Sequence, residues 1–136
     1  MAVLQLWFVI FPAAFVLGGC SDLCGNQIVR DEVAPGGRTR AVLFQRDCGA
    51  TTGFSTQISV MEPEEPLSGG GNVFVADANH GAAAANWGGP WAEIQWLSPT
   101  QLLIRHDEKA RVFKSEAHQS SINIMFEKVS RPPATP

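Results

Sequence analysis

The stretch Phe54-Ser55-Thr56-Gln57-Ile58-Ser59-Val60 decides the fold class. Phe54, Thr56, Ile58 and Val60 fall on one face, and Ser55, Gln57 and Ser59 on the other. A period of two is that of a half-buried β-strand, because successive Cβ atoms leave opposite sides of the pleat. Upstream, Ala34-Pro35-Gly36-Gly37-Arg38 reads as a turn, with proline fixing φ and glycine accepting a positive φ. Thr39 to Arg46 follows as a strand with an apolar centre, Ala41 to Phe44. Downstream, Glu62 to Asn72 carries two prolines, three acidic residues and Gly69-Gly70-Gly71. It reads as an exposed, mobile connection.

The rest of the chain repeats the pattern of short strands and turns. Asn72 to Ala76 is rich in β-formers. Asp77 to Pro90 is irregular, with room for one helical turn at Ala82 to Ala85 before Gly88-Gly89-Pro90 stops it. Ala92, Ile94 and Trp96 alternate with Glu93 and Gln95. Ser98-Pro99-Thr100-Gln101 then turns the chain into Leu102-Leu103-Ile104, which predicts a hairpin. Arg111-Val112-Phe113 and Ile122 to Phe126 are the last strands. Six or seven short strands with no long helical period predict an all-β domain, either a small antiparallel sandwich or a single twisted, propeller-blade-like sheet. The expected domain runs over 34–128. Residues 20–33 lead into it, and residues 129–136, with three prolines, form a disordered tail.

Residues 1–19 carry no charge, and only Gln5 and Pro12 break the apolar run from Ala2 to Gly19. The run closes in Leu17-Gly18-Gly19-Cys20. An apolar core ended by small residues is the pattern of a signal peptide, expected as a helix. The cysteine makes it more specific: Leu-Gly-Gly-Cys resembles the lipobox of bacterial lipoproteins, in which the cysteine is lipidated and becomes the new N-terminus. Met1 to Trp7 departs from that pattern in carrying no Lys or Arg. The alternatives are an ordinary signal peptide, an uncleaved anchor of roughly 20 residues, and a cytosolic chain. All but the last place the domain outside the cytoplasm, and the leading expectation is a lipid-anchored protein of the cell envelope.

Three cysteines is an odd number for an exported chain. Lipidation of Cys20 leaves Cys24 and Cys48 as an even pair, and a disulfide between them is expected. The alternatives are a free structural thiol and a catalytic or metal-binding thiol at Cys48. No C-x-x-C is present, so zinc-ribbon and thioredoxin-like chemistry lack their motif. Ten basic and 13 acidic side chains give a net charge of −3 with no basic block. Nucleic acid is therefore not the expected partner, since phosphate binding needs clustered Lys and Arg.

Two groups of polar residues crowd strand ends. Arg46, Asp47, Cys48, Thr51 and Thr52 form one, and Asp77, Asn79 and His80 the other. Were the two ends adjacent, they would make a surface for a small ligand or an envelope protein. Three functions compete for them. The first is a non-enzymatic binding or structural domain, with Asp77 to Gly81 as a turn whose Asp and Asn cap backbone amides. The second is a small hydrolase using Cys48 or Thr51 as nucleophile with His80 as base. The third is a divalent-metal module using Asp77, Asn79, His80 and Asp47, although the later ligands of a calcium loop are missing. The first reading leads; no catalytic residue, resident metal or cofactor is assigned. His106-Asp107-Glu108 reads as a solvated turn. Trp87 and Trp91, around the Gly-Gly-Pro, read as closing the core edge, with ring stacking on a ligand as the alternative.

Arg46-Asp47-Cys48-Gly49-Ala50-Thr51-Thr52-Gly53-Phe54-Ser55-Thr56-Gln57 and Val73-Phe74-Val75-Ala76-Asp77-Ala78-Asn79-His80-Gly81 are distinctive segments. With Cys24-Gly25-Asn26 and the Trp96-Leu97-Ser98-Pro99 hairpin, they resemble a family of small uncharacterised bacterial exported proteins and lipoproteins. The resemblance spans 24–126. It implies one domain and no particular activity. Members often carry Ser-Pro-Asp-Gly-Lys where this chain has Ala34-Pro35-Gly36-Gly37-Arg38, so the turn aspartate is replaced here by Gly36.

Overall fold

In the computed structural model, residues 23–49 and 53–131 are described. The expected signal helix, the lipidation residue Cys20, Thr51, Thr52 and most of the expected tail lie outside them. The domain is all-β. Among the described residues there are nine strands, rather than six or seven, in two sheets. No helix among them is long and apolar enough to cross a membrane.

The first sheet has five strands in the order β1 (Gly25–Val33), β2 (Arg40–Asp47), β3 (Ser55–Met61), β4 (Phe74–Asp77) and β7 (Arg111–Ser115), with every neighbouring pair antiparallel. The second has the order β5 (Ala92–Ser98), β6 (Gln101–Asp107), β9 (Ile122–Val129) and β8 (His118–Gln119). β5 and β6 are the expected hairpin. β6 and β9 run parallel. Parallel neighbours need a crossover, and here the chain leaves β6, adds β7 to the first sheet, and returns through β8.

The two sheets bury one core between them. Ala41, Leu43, Ile58, Val60, Phe74 and Ala76 come from the first, and Ala92, Ile94, Leu102, Ile104, Ile122 and Ile124 from the second. Each set lies two residues apart along its strands, as a sandwich requires. Trp87 packs against this core from the 78–91 loop, so it closes the core edge. The expected turn before β2 forms: the Gly37 amide donates to the Ala34 carbonyl at 3.0 Å, and Gly36 has φ of 91°.

Three expectations need correction. The segment leading into the domain is itself the edge strand β1, bulged at Val29. A bulge bends a free edge away from further pairing. Next, β3 is buried on both faces: Gln57 and Ser59 are buried, as Ile58 is on the other side. The Glu62–Asn72 connection covers the second face and is pinned there. Gln57 Oε1 accepts from the Gly71 amide at 2.7 Å, and Arg46 and Asn26 both donate to the Gly69 carbonyl. The Asn72 side chain pairs with both backbone groups of Val60 at 2.8 Å. Val42 and Phe44, which point away from the sandwich core, are fully buried on that face. Gly71 sits so close to β3 and β4 that a Cβ there would lie 2.6 Å from the Phe74 carbonyl and 2.8 Å from that of Ile58.

The third correction concerns His106 and Asp107, which are each 4% exposed rather than solvated. Leu102, Ile104 and His106 alternate inward along β6. Asp107 forms the corner where the chain passes between sheets. Its carboxylate accepts from the Lys109 amide at 2.9 Å and its carbonyl from the Ala110 amide at 3.1 Å.

Candidate functional site

Strand register assembles the site. Asn26, Arg46, Ser55, Asp77 and Arg111 are successive partners across β1, β2, β3, β4 and β7. The two polar strand ends singled out in the sequence therefore belong to one row, with Ser55 between Arg46 and Asp77. At the β1 end of the row, Cys24 and Cys48 are joined by a disulfide with their Cα atoms 3.9 Å apart. Arg46 Nη1 donates to Asn26 Oδ1 at 2.7 Å. Asp47 turns back to accept from the Gly49 amide at 3.0 Å. Arg46 and Asp47 thus hold the sheet end and its loop.

At the β7 end a cleft of about 640 Å³ opens between Phe54, Gly88, Arg111 and the Asp77–Gly81 turn. Arg111 Nε donates to Asp77 Oδ1 at 2.9 Å, and Arg111 Nη2 to Oδ2, forming a bidentate pair. Asp77 Oδ1 also accepts from the Asn79 amide at 2.9 Å. The Arg111 guanidinium holds the Asp77 carboxyl below the usual carboxylate range. The Asn79 amide and the charges of Arg111 and His80 act in the same direction, against the opposing effect of burial. The same pairing raises Arg111.

The turn is an unusual piece of backbone. Asn79, His80 and Gly81 have φ of 49°, 55° and 90°, three left-handed residues in succession. Two of them carry a Cβ, and left-handed conformation costs such residues about 1 to 2 kcal/mol each. The turn is closed by the Ala82 amide on the Asn79 carbonyl and the Ala83 amide on the Ala78 carbonyl. His80 is thereby projected outward, exposed at the cleft mouth.

Phe54 was expected on the buried face with Thr56 and Ile58. It lies instead just before β3, 42% exposed, its ring against the backbone of Gly88. Sequence reading also missed Arg111, because its role is set by a partner 34 residues away. The turn reading of Asp77 to Gly81 holds.

This geometry limits the chemistry available. Cys48 is bridged and offers no thiolate. Asp77 is committed to Arg111 and the Asn79 amide, so it does not orient His80 as the acid of a triad would. The same commitment weakens Asp77 as a cation ligand. Among the described residues, no three His, Cys, Asp or Glu side chains cluster in a metal-holding arrangement. Among the described residues the cleft offers a neutralised ion pair beside an exposed aromatic ring and an imidazole, a set suited to binding; Thr51, the other nucleophile expected, lies outside them. No family model, no curated protein and no solved structure matches this chain.

Proposed function

We propose that the chain is an exported lipoprotein of the bacterial cell envelope, of the family that its two distinctive segments resemble. Its β domain would be tethered to the membrane through Cys20 and would act by binding, presenting the Asp77–Arg111 cleft to a small ligand or an envelope partner. The observation that carries the reading is the Cys24–Cys48 bridge. It accounts for two of three cysteines and leaves Cys20, which directly follows Leu17-Gly18-Gly19, as the odd one. Disulfides persist in oxidising compartments, where an exported domain resides. The bridge would also fasten the chain four residues beyond the lipid, so the tether would pull on a cross-linked sheet end. The closed Asp77–Arg111 ion pair beside Phe54 and His80 supports binding, and the bridge at Cys48 argues against a thiol nucleophile there.

Intact mass of the protein from its native host, with and without reductant, tests this. The expected species starts at Cys20, carries a diacylglyceryl group, and gains one hydrogen per bridged sulfur on reduction. A chain retaining residues 1–19, or cut elsewhere without lipid, overturns the proposal.

A further inference from the structure

A second site lies where the sandwich opens between β7 of one sheet and β9 of the other. A groove of about 480 Å³ there is lined by His106, Ala110, Val112, Ser115, Phe126 and Lys128. Its floor is aromatic. The Phe74 ring lies 5.3 Å from that of His106 and 6.0 Å from that of Phe126.

His106 is the unusual member. The imidazole is almost wholly buried, and its Nδ1 lies 3.0 Å from the Asp107 carbonyl. A carbonyl only accepts, so Nδ1 carries the proton and Nε2 presents a lone pair. Nε2 hydrogen-bonds to no described residue. Among the described residues the one enclosed side-chain polar atom without a partner is Arg40 Nε. His106 Nε2 is therefore reached from the groove. Water can reach this acceptor at the floor of the groove, and a ligand donor can take the place of that water.

Lys128 supplies the second feature. It is the register partner of His106 on the parallel strand, so both side chains leave the same face. Its ammonium pairs with no described carboxylate. A positive charge beside the imidazole, with no second ligating side chain in the lining, disfavours a cation. It favours a ligand with a negative end.

We propose that this groove binds a small hydroxy acid with an apolar body. The hydroxyl donates to His106 Nε2, the carboxylate pairs with Lys128, and the body lies against Phe126 and Val112. The site is separate from the Asp77–Arg111 cleft and does not depend on how the protein is exported.

The test is titration of the full isotope-labelled chain with 4-hydroxyphenylacetate, followed by NMR at the His106 ring. Phenylacetate, which lacks the hydroxyl, and tyramine, which lacks the carboxylate, are the comparators. The hydroxy acid is expected to shift the His106 and Phe126 ring signals, phenylacetate to bind more weakly, and tyramine to leave them unmoved. Lys128→Met, an exposed position, should weaken binding about tenfold, the loss of one charge-assisted hydrogen bond. His106→Phe should abolish the preference for the hydroxylated acid. No binding of the hydroxy acid, shifts that bypass the His106 ring, or unchanged affinity in Lys128→Met would each overturn the proposal. The amide dispersion of Lys128→Met shows that it is folded.

Discussion

Thr56 is where the middle of the first sheet meets the loop that closes the sandwich. Its hydroxyl donates to the Pro90 carbonyl at 2.6 Å and accepts from Trp87 Nε1 at 2.9 Å, with the side chain fully buried. Thr56→Val keeps the shape and leaves both partners unpaired. It is expected to lower stability by about 2 kcal/mol in urea unfolding, with Thr56→Ser losing less. Asp77 gives the pH counterpart. Its carboxyl titrates below its ordinary value of 3.8 in the fold. Its contribution is therefore fully present above that value and lost as pH falls through the lower, folded value. Unfolding midpoints measured from neutrality into acid should fall less steeply below pH 3.8 in Asp77→Asn than in the wild type, and Asp77→Asn should be less stable at neutrality. The difference shrinks in high salt, because Arg111 is half exposed. At this scale the sequence showed Thr56 as an inward residue but not its partners, which lie 31 and 34 residues away. His106 was legible in principle. Continuing the alternation of Leu102 and Ile104 by one step places it inward, but the charged Asp107-Glu108 beside it suggested a solvated turn.

Among the elements, the Glu62–Asn72 connection differs most from its composition. Prolines, glutamates and a glycine triplet read as a mobile link, yet side chains from β1, β2 and β3 hold its backbone. Those contacts span 14 to 43 residues, so no local pattern announces them. The hint lay elsewhere: Val42 and Phe44 make β2 apolar on both faces, and a strand apolar on both faces needs a cover on each. Gln57 is the pin nearest the centre. Gln57→Leu should leave the Gly71 amide unpaired, lower stability by about 2 kcal/mol and abolish the slow hydrogen exchange of that amide. Retained protection at Gly71 would mean that the contacts of Asn72 with Val60 hold the strap without Gln57. β1 was missed for the opposite reason. Gly25 to Val33 is an edge strand with little buried apolar surface, and Gly-Asn-Gln and Arg-Asp-Glu interrupt any alternation. Its place is fixed by pairing with β2 and by the cysteine beside it.

At the scale of the whole molecule, β1 is the first strand among the described residues and the outermost of its sheet, a position prone to fraying. The contacts that oppose that include the ladder to β2, the Asn26 side chain bonded to Arg46 and the Gly69 carbonyl, the Trp96 indole donating to the Glu32 carbonyl at 3.0 Å, and the Cys24–Cys48 bridge at the end where the strand begins. All but the bridge hold the strand only while the domain is folded. The bridge also acts on the unfolded chain, where it closes a loop with a sequence separation of 24 residues. By the chain-entropy model that restriction is worth roughly 3 kcal/mol. The double variant Cys24→Ser, Cys48→Ser should therefore fold to the same sandwich with a urea midpoint lowered by about that free energy, and wild-type protein in reductant should match it. Exchange should distinguish the two contributions. Amides of Gly25 to Gln27 should lose protection beyond the global decrease, because the strand end then frays locally, while those of Glu32 and Val33, near the Trp96 contact, follow the global change. Uniform loss along β1 would place the whole effect in the unfolded chain. An unchanged midpoint would show that the non-covalent contacts suffice to hold the strand, leaving the bridge no part in the domain's stability.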